Sequence, residues 1–184
     1  MGIRIAVIGL GRIGAFHAET LTSLAEVDEL LVADERPEVT TAVAGRLGAR
    51  PVRNLDAALT SGVDGVVIAA ATPAHATLIM TAVDAAVPVF CEKPIAFTVS
   101  ESEQIVARLS GCDVPVQIGY NRRFDPAFAA AYQEVRSGAL GRLTTVRSTT
   151  MDPSPPPPAY VAASGGIFRD CSVHDFDIVR WIVG

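Results

Sequence analysis

Ile3-Arg4-Ile5-Ala6-Val7-Ile8 passes without interruption into Gly9-Leu10-Gly11-Arg12-Ile13-Gly14. A β-rich run that ends on G-x-G-x-x-G and continues into a helix-like segment can fold in few ways, because each glycine answers a separate steric demand. Gly9 permits the tight turn out of the strand, and Gly11 lets the backbone approach a pyrophosphate. Gly14 lets the next helix pack close to the strand. The free N–H groups and positive end of that helix suit phosphate oxygens, with Arg12 and Ile13 in the turn itself. A second apolar run, Leu30-Leu31-Val32-Ala33, ends in Asp34. That acid follows Gly14 by about 20 residues, the offset of a carboxylate that accepts from an adenosine ribose. Such a carboxylate repels a 2′-phosphate, so NAD is expected rather than NADP. Arg36 is the nearby side chain able to pair with a phosphate.

The rest of the composition narrows the class. Hydrophobic residues make up 49% of the 184, enough for a packed core, yet no apolar run approaches the ~20 residues needed to span a bilayer. The chain opens directly on a strand pattern with no leader-like segment, which sets the expectation of a cytoplasmic protein. Cys91, Cys112 and Cys171 are scattered and form no metal-spaced pair, so a reducing compartment and no metal site are expected. A formal charge of −5 gives no reason to expect nucleic acid or an anionic membrane as partner.

Hydrophobic periodicity predicts alternating strands and helices. Helices are expected over 15–25, 37–47, 55–60, 74–86 and 100–110, and strands over 29–34, 50–52, 63–71, 87–91 and 114–118. The near-continuous apolar run 63–71 is the pattern of a parallel strand covered on both faces. Repeated βα units imply an α/β fold, a Rossmann-type doubly wound parallel sheet in residues 1–119, with its ligand beyond the carboxyl ends of the strands. The character changes over 120–184. A helix is expected over 127–137 and a strand over 143–151. A proline-rich stretch follows over 152–159, read as a rigid connection or, alternatively, as a polyproline ligand.

Polar residues gather at the ends of the later strands. Thr72, Pro73 and His75 close one, and Cys91-Glu92-Lys93-Pro94 closes the next. Glu92 and Lys93 would sit where the far half of a dinucleotide reaches, and Lys-Pro is a dipeptide in which a cis bond is possible. His75 has two readings, a cofactor contact or a cap and packing residue. In the stretch 165–177, a continuous helix would set Asp170, His174 and Asp177 on one face. Three readings stand for that face: an acid/base group, a metal site, and a capped structural helix.

These pieces, in this order, resemble the Gfo/Idh/MocA oxidoreductases, and within them the inositol 2-dehydrogenase type. The match rests on the glycine turn, Asp34, Thr72-Pro73 with His75, Glu92-Lys93-Pro94, Asn121-Arg122-Arg123-Phe124-Asp125, and Gly165-Gly166 through Asp170, His174 and Asp177. The resemblance implies that Lys93 is the catalytic lysine and that Asp170 and His174 are the paired acid and base. It further implies a polyol or sugar substrate, with Asn121, Arg123 and Asp177 as additional contacts. Family members are longer and continue into an open sheet. Residues 120–184 are therefore expected to be the incomplete first part of an α+β substrate domain, and a full-length form is expected to be a homo-oligomer. Two other functions fit the same residues: an aldose or dihydrodiol dehydrogenase of this family, and a non-catalytic dinucleotide-binding regulator.

Overall fold

Strand and helix alternate from the start of the chain because apolar residues recur first with period two and then with period 3.6. The computed structural model describes residues 2–151 and 154–184. Two units are distinguished, Met1–Gly119 and Tyr120–Gly184. In the first, the order is β1 (Ile3–Ile8), α1 (Arg12–Thr22), β2 (Val27–Ala33), α2 (Pro37–Leu47), β3 (Arg50–Pro51) and α3 (Leu55–Thr60). There follow β4 (Gly65–Ile68), α4 (Thr72–Asp84), β5 (Val89–Cys91), α5 (Val99–Leu109) and β6 (Val116–Ile118). The six strands form one parallel sheet in the order β3-β2-β1-β4-β5-β6. This is the doubly wound α/β arrangement that the repeated βα units imply.

The alternation of side chains along β1 and β2 divides the core in two. Ala6, Ile8, Leu31 and Ala33 join Val66, Ile68 and Ile79 on one face of the sheet, whereas Val7, Leu30 and Val32 join Ala18 and Val43 on the other. Ala6 and Val7 are fully buried, as a central parallel strand with helices on both sides requires.

The corner between β1 and α1 is held by the absence of side chains. A Cβ on Gly14 would lie 1.9 Å from the carbonyl oxygen of Gly9. Gly9 has φ +89°, and a Cβ there would lie 2.5 Å from the Ala70 Cα. Helix α1 thus reaches back to Arg12 rather than the expected start at 15, with Gly11 in an extended conformation as its N-cap. Helix α4 likewise starts at Thr72, two residues before the expected 74, because Pro73 has its φ already set for a first turn. Helices α2 and α3 occupy the expected ranges. Strand β4 is shorter than expected at both ends, and β5 and β6 each begin two residues later than expected, just after Pro88 and Pro115.

The second unit contains a 3-10 turn over Asn121–Phe124, then α6 (Pro126–Arg136), α7 (Pro158–Ala163), α8 (Ile167–Asp170) and α9 (Ser172–Val183). Asp125 caps α6 by accepting from Ala127 N–H at 2.9 Å. Helix α9 packs on α6, with Tyr132 and Trp181 stacked at 4.2 Å between ring centroids. Two expectations are corrected here. Residues 143–151 are irregular rather than a strand: no other described segment pairs with their backbone, and a β-branched run without a partner has no ladder to join. The stretch 165–177 is not one helix, because it breaks at Cys171 (φ −100°, ψ −56°) between α8 and α9. Of the proline-rich stretch, Asp152 and Pro153 lie outside the described residues, and Pro158 opens α7.

The corner geometry sets a paired expectation. Gly14→Ala should destabilise the chain by at least about 2 kcal/mol through overpacking. Gly45→Ala, on an exposed part of α2 where a Cβ meets nothing within 4 Å, should stabilise it by up to about 1 kcal/mol. Thermal denaturation of the two variants against wild type checks both signs.

Candidate functional site

Asp34 stands immediately after β2, and its carboxylate turns back toward the glycine turn. Oδ2 accepts from Leu10 N–H at 2.8 Å, while Oδ1 accepts from Arg36 N–H at 3.0 Å and Arg36 Nε at 3.3 Å. The Asp34 N–H itself donates to Thr40 Oγ1 at 2.8 Å, and Gly9 N–H donates to Ala33 O at 2.8 Å. One carboxylate therefore ties the turn after β1 to the end of β2. Burial works to raise its pKa, but the backbone N–H groups of Leu10 and Arg36 and the Arg36 guanidinium outweigh it and hold it below the ordinary range.

Beside Asp34, the N-terminus of α1 is open. A Cβ on Gly11 would meet nothing within 4 Å, so the missing side chain leaves room against the first N–H groups of the helix. No acidic residue occupies the first turn. Orphan N–H donors, a positive helix end and a carboxylate at the end of the neighbouring strand form a cradle that fits a dinucleotide. Arg12 and Ile13 open the helix over it, and both are exposed.

At the ends of β4 and β5 the expected residues meet different fates. Thr72 and Pro73 form the first turn of α4. His75 is 1% exposed, with Nδ1 2.7 Å from Pro94 O and Nε2 3.0 Å from Ala70 O. Each ring nitrogen thus lies against a backbone carbonyl oxygen, inside the chain rather than at its surface. The residue ties the end of β4 to the turn after β5, which is the packing alternative. Cys91 ends β5 fully buried, and burial with the neighbouring Glu92 charge pushes its thiol up to about 12.

Glu92 and Lys93 follow, both half-buried, and the Lys93–Pro94 bond is cis. Glu92 N–H donates to Ile68 O at 2.9 Å, which holds the turn against β4. Its carboxylate lies 2.7 Å from His17 Nε2 on α1. Burial works to raise the Glu92 pKa, but His17 and then Lys93 bring it below the ordinary value. His17 is a site residue that motif reading missed; its only signal is a position three residues after Gly14, on the same face of α1.

In the second unit the charges form two adjacent clamps. Arg122 donates to Asp175 at 2.8 Å and to Thr150 at 2.6 Å, and Ser148 also donates to Asp175. Arg123 reaches Asp177 through Nε at 2.9 Å and again through a second nitrogen, and its guanidinium lies over the Tyr120 ring. Burial and the Asp177 charge raise the Tyr120 pKa, with Arg123 opposing them. Arg123 and Asp177, expected as substrate contacts, are paired with each other here. Asp175 and Tyr160 were not anticipated. The Tyr160 hydroxyl donates to Asp170 at 2.9 Å. Asp170 ends α8, whereas His174 lies in the first turn of α9 with its Nδ1 buried. Asn121 is exposed at the start of the 3-10 turn. Among the described residues no group of three His, Cys, Asp or Glu side chains could hold a metal ion, and no helix is long and apolar enough to cross a membrane.

A parallel sheet with an open helix N-terminus after β1 and an acid after β2 defines a dinucleotide-binding domain of the oxidoreductase type. Sequence comparison agrees. Residues 3–120 match the Gfo/Idh/MocA oxidoreductase family, NAD-binding Rossmann fold, and residues 128–184 match the Gfo/Idh/MocA C-terminal domain. The chain belongs to that family. It is 38% identical over 185 residues to an inositol 2-dehydrogenase of Rhizobium meliloti, covering 100% of this chain and 56% of that protein. Among solved structures, a myo-inositol dehydrogenase from Corynebacterium glutamicum aligns with a TM-score of 0.86 at 35% identity, over 99% of this chain and 55% of that one. A scyllo-inositol dehydrogenase from Lactobacillus casei with bound NAD(H) and scyllo-inositol aligns with a TM-score of 0.86 at 30% identity, over 100% and 57%. The chain therefore spans about 55% of the length of the relatives it matches.

The depressed Asp34 pKa carries a sign. A carboxyl group whose folded pKa lies below its unfolded value of ~3.9 contributes stability that is present above pH ~4 and is lost as pH falls toward the folded value. Asp34→Asn removes that contribution. Its unfolding free energy should therefore fall less steeply than that of wild type between pH 5 and 3 (about one unit either side of the unfolded pKa), as measured by urea titration across the range.

Proposed function

We propose that this chain carries the cofactor part and the first portion of the substrate part of an NAD-dependent dehydrogenase acting on a secondary alcohol of an inositol-like polyol. The observation that supports it most is the Asp34 carboxylate at the end of β2, beside the open helix N-terminus. Relatives named as inositol dehydrogenases align with the chain over its whole length.

The residues present fit the chemistry. Oxidation of an alcohol removes a proton from oxygen and a hydride from carbon, and the nicotinamide supplies the hydride acceptor. His174 is the general base for the hydroxyl proton, the role that imidazole fills most often. Lys93 is a donor suited to stabilise the charge that develops on an alcohol oxygen. Asp170 orients the base or accepts from a neighbouring substrate hydroxyl, with the Tyr160 hydroxyl fixing its carboxylate. Asn121 is exposed for a further hydroxyl contact. Arg123 and Asp177 act through their mutual pair, which holds the 3-10 turn on α9.

Two measurements test the reading. Calorimetric titration should show NAD(H) bound at least about tenfold more tightly than NADP(H), since Asp34 accepts from ribose hydroxyls and repels a 2′-phosphate; equal affinity would sink the assignment. In an assay of inositol oxidation by a form spanning the whole length of the relatives, Lys93→Met and His174→Ala should each lower kcat by at least ~10²-fold while NAD affinity stays within a few-fold. Near wild-type turnover by either variant removes that residue from the reaction.

A further inference from the structure

The hydrogen bond between His17 and Glu92 joins two elements that stand on either side of β4. His17 lies on α1, the helix that follows β1, and Glu92 lies on the turn that follows β5. In a doubly wound sheet this is the crevice where the strand order reverses and an extended ligand lies across the carboxyl ends. Asp34, on the β2 side of that crevice, marks the adenosine half. The β4 and β5 side is left for the other half, and there the Glu92-Lys93-Pro94 turn stands.

The Glu92 carboxylate does not point into open solvent. Its side chain is 21% exposed and that of His17 is 24% exposed. Three elements confine the pair. The His17 ring sits edge-on to Phe90 of β5 at 5.4 Å between centroids. A Cβ on Gly119, just after β6, would lie 3.1 Å from the Phe90 ring and 3.2 Å from Glu92 Oε2. Below, Glu92 N–H is held by Ile68 O of β4. The charge on Glu92 therefore has one side-chain donor among the hydrogen bonds described, and that donor comes from the helix whose N-terminus forms the phosphate cradle.

We infer that His17 is a positioning residue for the nicotinamide half of the site, acting through Glu92 to hold the turn that carries Lys93. This rests on the dinucleotide reading above and adds a residue to it. The adenosine half depends on Asp34, Leu10 N–H and the glycine turn, whereas the side-chain hydrogen bond of His17 goes to Glu92. Removal of the imidazole leaves the half-buried carboxylate with the Lys93 backbone N–H but without its side-chain donor, so the link from the turn to α1 is lost while the cradle stays. Glutamine retains an N–H donor on a similar reach, so it replaces histidine in this role.

Affinities of the 184-residue chain for NADH and for ADP-ribose, which lacks the nicotinamide, separate the outcomes. The His17→Ala variant should bind ADP-ribose within about twofold of wild type and NADH about tenfold more weakly, the loss of roughly one charge-assisted hydrogen bond. The fluorescence of bound NADH should fall with it. His17→Gln should restore NADH affinity to within about threefold of wild type. An unchanged ratio of the two affinities in His17→Ala, whether both hold or both drop together, overturns the positioning role while the dinucleotide reading stands. A glutamine variant as weak as alanine also overturns it. A wild-type chain that binds neither ligand overturns the dinucleotide reading, and the role of His17 falls with it.

Discussion

The approach of α1 to the end of β1 governs the arrangement of the first unit. With no atom beyond Cα at Gly14, the helix sits against the Gly9 carbonyl at a distance that a methyl group would forbid. That contact aims the first turn of α1 at the sheet edge, so its N–H groups face the crevice and do not stack over the core. It also delivers Leu10 N–H to Asp34 and, one helical turn further on, His17 to Glu92. Cradle, ribose acceptor and the turn bearing Lys93 are thus indexed to one helix, and the helix is indexed to one missing side chain.

The parallel sheet and most helices were legible because parallel strands buried on both faces leave near-continuous apolar runs, and α2 and α3 are bounded by proline, asparagine and glycine signals. Motif spacing likewise identified Asp34 and the Glu92-Lys93 turn. Contacts between residues far apart in the chain were not legible. His17 and Glu92 are separated by 75 positions, and no periodicity links them. The carbonyls that occupy His75 were equally hidden, since backbone acceptors leave no trace in a side-chain pattern.

The second unit shows where a local pattern misleads. Alternating β-branched residues over 143–151 satisfy the strand template, but Ser148 and Thr150 engage Asp175 and Arg122 instead of a neighbouring strand. Helical spacing put Asp170 and His174 on one face, yet the backbone at Cys171 separates them onto two helices. Consecutive arginines on a 3-10 turn take Asp175 and Asp177 on α9. That geometry depends on how α9 folds back toward residue 120, which spacing alone does not encode.

Cys91 gives the sheet an internal witness. Its thiol sits at the end of β5 with no exposed surface and an ionisation pushed to about 12, so at neutral pH the nucleophilic thiolate is scarce and out of reach of any reagent. Cys112 and Cys171 are only half-buried. Slow alkylation at Cys91 therefore counts the moments when β5 parts from its neighbours. The chain carries its own clock for the opening of the strand that precedes Lys93, readable without any introduced label.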